Sequence, residues 1–102
     1  MKKVKITVIK KTMIEDLVKE YGGSGLSICT LHDEGQEFIS NGWQKPDGLC
    51  DNAWKCMMEY VIALAHGGKD FYDGWLNDEN IAIISCNDGL RPVIFKLEVI
   101  TQ

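Results

Sequence analysis

The chain predicts an α+β domain: a small, largely antiparallel sheet with one long helix packed on one face and a second, short helix. Three observations carry this. Val4, Ile6 and Val8 alternate with Lys5 and Thr7 near one end, and Val93, Phe95, Leu97 and Val99 alternate with Ile94, Lys96 and Glu98 near the other. Between them runs an apolar stripe at helical spacing: Trp54, Met57, Met58, Val61, Ile62 and Ala65. Period-2 alternation marks half-buried strands, and the 3.6 period marks a helix with one buried side. At 102 residues the chain has the size of a single domain.

The elements follow in order. Val4 to Ile9 reads as a strand. From Met13 to Tyr21 a short helix is expected, with Thr12 as cap, Glu15 completing a capping box, and Met13, Leu17 and Tyr21 on one face. Gly22-Gly23 ends it. Gly23 to Asp33 is loop, Gln36 to Ser40 a short strand, and Asn41 to Gly48, with Pro46-Asp47-Gly48, turn and loop. The long helix spans Asn52 to about Ala65, capped by Asp51 and closed by Gly67-Gly68. Lys69 to Asn80 is irregular, aromatic and acidic. Ile81 to Cys86 reads as a buried strand, Asn87-Asp88-Gly89 as a turn, and Pro92 sits where it breaks no ladder. The two terminal strands are candidates to pair at the sheet centre.

Composition narrows the function classes. Lys5 and Lys10 interrupt the first apolar stretch, and the run Tyr60 to Ala65 is far short of the ~20 residues of a membrane span, so a cytoplasmic protein with no membrane partner is expected. A net charge of −4 makes nucleic acid a poor partner, and the early lysines read as the wet face of a strand. The even count of 4 cysteines would suggest disulfides in a secreted chain, but in a cytosolic one it points to free thiols, a metal site or a reactive centre.

Three chemical readings stay open. Cys29, His32, Cys50 and Cys86 all fall in loops or at element ends, where four thiolate or imidazole ligands could converge on zinc or iron; no Cys-x-x-Cys pair supports this, and buried thiols also serve as small hydrophobes. Cys50, beside the start of the long helix, is alternatively a nucleophile favoured by the helix dipole, with His32 or His66 as the available base and Asp51 opposing it. The third reading is a non-catalytic interaction module or homo-oligomer that uses loop aromatics, Trp43 and Trp75 with Phe71 and Tyr72, as contacts. Asp88 and Arg91 pair across a turn or present the guanidinium fork to an anion. Cys56 and Trp54 read as core, and His66 as complementing the helix's last turn.

Gly35-Gln36-Glu37-Phe38, Pro46-Asp47-Gly48-Leu49-Cys50-Asp51-Asn52-Ala53-Trp54 and Cys86-Asn87-Asp88-Gly89-Leu90-Arg91-Pro92-Val93-Ile94-Phe95 together resemble a family of roughly 100-residue prokaryotic proteins of unknown function. The likeness spans nearly the whole chain and rests on the motifs Pro-x-Gly-x-Cys and Cys-x-Asp-Gly-x-Arg-Pro-Val. It implies that Cys29, Cys50 and Cys86 belong to a shared pattern and that Cys56 does not. Some relatives have a His shortly after the first Cys and others lack it, so a three-thiol site completed by water or a carboxylate such as Asp88 is the fallback.

Overall fold

The computed structural model describes residues 1–100. Its elements run β1 (Val4–Lys11), α1 (Glu15–Tyr21), β2 (Glu37–Ser40), α2 (Asp51–Ala65), β3 (Ile81–Ser85) and β4 (Val93–Val99). The strands form one four-stranded sheet in the order β2-β1-β4-β3, antiparallel at every junction. The terminal strands do pair at its centre, from Val4 opposite Val99 to Lys11 opposite Val93. A register shift between Val8 and Lys10 leaves Ile9 as an extra residue, and this bulge lets β1 continue two residues past its expected end.

Alternation decides which face is clad. Val4, Ile6 and Val8 of β1, Phe38 of β2, Ala82 and Ile84 of β3, and Val93, Phe95 and Leu97 of β4 are buried, and they meet Ala53, Met57, Val61, Leu64 and Ala65 of α2. The shortest dimension of the molecule, 20 Å, is that of one sheet and one helix layer. No helix among the described residues packs on the opposite face. Among the described residues, no helix is long and apolar enough to cross a membrane.

α2 is longer at its start than the sequence suggests. It begins at Asp51, and Cys50 rather than Asp51 is the N-cap. The reason lies in Lys45: its ammonium donates to the Leu49 carbonyl and lies 2.9 Å from Asp51 Oδ1, drawing that carboxylate away from the helix amides. The same ion pair holds the Asp51 carboxyl below its ordinary range. At the other end Gly67 takes φ 92°, and the Gly68 N–H donates back to Ala63 O at 2.8 Å, the left-handed stop anticipated there. Gly42 is required for a different reason. A Cβ on it would lie 2.8 Å from Lys2 O and 2.9 Å from Ala65 Cβ, where the β2–α2 loop crosses the end of the helix.

α1 differs most from expectation. It starts at Glu15 with Ile14 at the N-cap and no side-chain cap, because the Thr12 hydroxyl donates to the Pro92 carbonyl instead. Backbone bonds from Thr12 to Pro92 O and from Ile14 to Leu90 O extend the β1–β4 ladder up to the helix. Its expected apolar face finds no core: α1 has no buried residue, and Leu17 and Tyr21 are exposed. With a radius of gyration of 14.5 Å, the chain exceeds the roughly 13 Å of a compact chain this long, as a projecting arm requires.

Phe95→Ala, at a fully buried position under α2, is expected to cost about 3–5 kcal/mol, whereas Leu17→Ala should stay within about 0.5 kcal/mol. Urea unfolding midpoints at unchanged slope measure both. A comparable loss for L17A would mean that α1 is covered.

Candidate functional site

The loop 86–92, the start of α2 and the loop before β2 meet at one end of the sheet. His32 is the most buried polar side chain there, 4% exposed, with its ring edge-on to Phe38 at 5.2 Å and Phe95 at 6.2 Å. Its Nε2 accepts a hydrogen bond from the Cys50 backbone N–H at 3.1 Å. A neutral ring that accepts at Nε2 carries its proton on Nδ1, and that atom is buried with no partner. The imidazole therefore fastens the 29–33 loop to the N-cap of α2. Its lone pair meets the backbone of Cys50, not the thiol, so this geometry does not form a thiol–imidazole dyad.

All four cysteines are unpaired, partly buried and packed against the core. Cys86 is tied to Val93: its N–H donates to Val93 O at 3.0 Å, and its sulfur accepts from the Val93 N–H at 3.3 Å. Burial pushes the Cys56 thiol above its ordinary pKa, and the neighbouring Cys86 and Cys50 thiols push it further. The residue set aside as core is thus the one that stands beside two thiols of the motifs. A helix position six residues after Cys50 gives no sequence signal for this, since the β3 end that brings Cys86 is remote in the chain. Among the described residues, no group of three or more His, Cys, Asp or Glu side chains is arranged to hold a metal ion.

Asp88 and Arg91 pair as expected, Nε to Oδ2 at 3.1 Å. Asp88 Oδ1 also accepts the backbone N–H groups of Leu90 and Arg91, at 2.8 and 2.9 Å. These bonds, with the guanidinium, hold the Asp88 carboxyl below the usual carboxylate range. Arg91 Nη1 donates to Ser27 O at 2.9 Å, which ties down the loop that follows α1. The guanidinium is engaged on two sides by the protein itself.

The aromatic residues gather elsewhere. Tyr60 of α2 meets Phe71 edge-on at 5.5 Å and Tyr72 at 6.0 Å, and Tyr72 stacks on Trp75 at 5.4 Å and 20°. The row starts at the helix and ends in solvent, with Trp75 82% exposed. Its loop is built rather than loose: Asp70 N–H donates to Glu79 O, Gly74 N–H to Asp70 Oδ1, and Lys69 bridges Glu79 at 3.2 Å. Asp70 and Asp73 accept positive φ values of 54° and 51° to make these bends. The Tyr72 hydroxyl donates to Ile83 O at 3.3 Å, and burial, with Tyr60 beside it, pushes the phenol up to about 12. Trp43 is half-exposed on the β2–α2 loop, where its backbone N–H donates to Asn41 Oδ1 at 3.1 Å, and its ring belongs to no ring pair among the described residues. A groove of about 480 Å³ opens near the C-terminal end of α2, lined by Lys2, Leu64, Asp78, Ile81, Glu98 and Val99, and none of the expected site residues reaches it.

Because Asp88 has a lower pKa folded than unfolded, its charge stabilises the fold above the unfolded value near ~3.9, and that contribution is lost as pH falls through the folded value. Asp88→Asn keeps an acceptor for the two N–H groups but removes the charge. The stability gap between wild type and D88N, of about 1–2 kcal/mol at neutral pH, should close as the pH is lowered through this window, as read by urea unfolding at each pH. A gap independent of pH would contradict the charge-assisted turn. Comparison of the chain with protein-family models, with curated proteins and with solved structures finds no match, so the family resemblance rests on its motifs alone.

Proposed function

We propose that the protein is a non-catalytic interaction module of the cytoplasm that presents Trp75 to a protein partner. The observation that carries this reading is an indole 82% exposed yet held on Tyr72 by a loop with its own ion pair and turn bonds. A large apolar ring that is ordered before binding loses little conformational freedom on docking, which is why tryptophan dominates contact energies. Asp70, Asp73, Asp78 and Glu79 flank it in the chain, and among the described residues only Glu79 of these is paired with a cation, Lys69, so the fitting partner has an apolar pocket with a basic rim. The same acidic surroundings and the net charge of −4 argue against nucleic acid. Four unpaired cysteines suit a reducing compartment.

A second reading rests on the thiols of Cys50 and Cys86 near Cys56, although as they stand they form no metal-holding group. A soft ion such as zinc or iron would take thiolates from Cys50 and Cys86, with Cys29 or His32 completing the set after these side chains turn toward one another. Elemental analysis of untagged protein purified without chelator, with thiols counted before and after unfolding, decides it. Near-stoichiometric metal with thiols released only by chelation or unfolding supports it, and metal-free protein with simply buried thiols removes it.

For the leading reading, immobilised protein should retain a partner from a lysate of the source organism that Trp75→Ala loses and Leu17→Ala keeps, with retention weakening as salt is raised. W75A should fold within about 0.5 kcal/mol of wild type. Identical retention by wild type and W75A would contradict the proposal.

A further inference from the structure

α2 and β3 run antiparallel past one another, and two contacts fix their alignment. Leu64, near the end of α2, and Ile81, at the start of β3, line the same groove. One helical turn earlier Tyr60 meets Tyr72, whose hydroxyl donates to Ile83 O. Four residues of helix advance about 6 Å and two of strand about 6.6 Å, so the elements keep step. The next step sets position 56 of α2 beside the end of β3. Cys56 shares the flank of Tyr60, one turn away. Cys86 continues the alternation of Ala82 and Ile84, the β3 side chains buried under α2, because its N–H still follows the β4 ladder to Val93 O. Both thiols are partly buried and packed against the core, and Cys86 adds to the burial that pushes the Cys56 thiol upward.

From this alignment we propose that Cys56 and Cys86 form a redox pair, which hydrogen peroxide closes to a disulfide. Cys86 is the sulfur that attacks, because the Val93 N–H aimed at it from 3.3 Å steadies the charge of a thiolate. It takes one peroxide oxygen: the O–O bond breaks, an S–O bond forms, and the hydroxide that leaves is protonated to water. The Cys56 sulfur then displaces hydroxide from the Cys86 sulfenic acid, forming the S–S bond and releasing a second water. Two thiols give up two electrons and two protons, and one peroxide is reduced to two waters. Cys50 does not serve as the partner of Cys56. Six residues apart across nearly two helical turns, their Cα atoms are separated by roughly 10 Å, beyond the ~7 Å that a disulfide spans. The pair uses neither Trp75 nor a metal ion, so it stands or falls apart from both readings given above.

Mass spectrometry of the freshly reduced chain, treated with hydrogen peroxide at neutral pH and then quenched with N-ethylmaleimide, tests it. Wild type should lose two hydrogen atoms as a monomer, and its tryptic map should show the Cys56 peptide joined to the Cys86 peptide. Cys86→Ser should leave Cys56 as a free thiol, whereas Cys56→Ser should leave a Cys86 sulfenic acid that dimedone captures. Cys29→Ser and Cys50→Ser should still form the bond. Oxidised wild type should unfold at a higher urea concentration than reduced wild type, and dithiothreitol should reverse the shift, because the bond restricts the unfolded chain. The wild-type map decides the matter even where a serine variant does not fold. A folded chain that forms no intramolecular disulfide, or that joins any other two cysteines, overturns the proposal. So does a Cys56–Cys86 bond that appears only once urea has unfolded the protein.

Discussion

The pairing of β1 with β4 is the constraint on which the rest of the structure depends. These strands come from opposite ends of the chain, and their antiparallel ladder brings every other element to one edge or one face. Because both strands alternate, the ladder has an apolar side and a mixed side. α2 covers the apolar side with Met57, Val61 and Leu64. β2 and β3 flank the ladder and place Phe38 and Ile84 in the same core. A chain this small can fill only one such core, so one face of the sheet, the α1 arm and the tip of the 69–80 loop are left to solvent.

The same ladder explains how the residues that look chemical are employed. At the end where β4 begins, His32 braces the α2 N-cap, Cys86 closes the turn on Val93, and Asp88 and Arg91 hold the turn and the loop that follows α1. Each polar group named there is engaged by backbone or by its neighbour, apart from His32 Nδ1. Charge-assisted bonds to backbone N–H groups are strong local clamps, and a guanidinium committed to two partners is a poor anion receptor. The uncovered surfaces are less occupied: Trp75 points into solvent from a loop that bends two aspartates into the left-handed region to hold it.

Much of this fold was legible because both signals behind it are local. The period of Val4-Ile6-Val8 and Val93-Phe95-Leu97-Val99 marks strands, and the Trp54-to-Ala65 stripe between two glycine-rich boundaries marks the helix. α1 ends at Tyr21 before Gly22 as expected, but its start differs. Thr12 and Glu15 form a sound capping box in isolation, but the bulge at Ile9 carries β1 onward and the Thr12 hydroxyl reaches the Pro92 carbonyl, eighty residues away. Its apolar face likewise predicted burial that no other element supplies. Cys56 packs against the core as its place on α2 suggests, and only its approach to Cys86 was illegible, because that residue comes from the end of β3. The Asp88–Arg91 pair, confined to four residues, could be read directly. The aromatic row could be read only in part, since Phe71, Tyr72 and Trp75 are adjacent in the chain while Tyr60 arrives by packing.

Residue-resolved amide hydrogen exchange tests most directly the claim that one core supports several uncovered surfaces. The amides of Val4 to Val8 in β1, Phe95 to Leu97 in β4 and Met57 to Leu64 in α2 should exchange only through global unfolding, while those of α1 exchange far faster through local opening. Protection of Glu15 to Tyr21 equal to that of α2 would contradict the account, because it would mean that the arm is packed against the rest of the molecule.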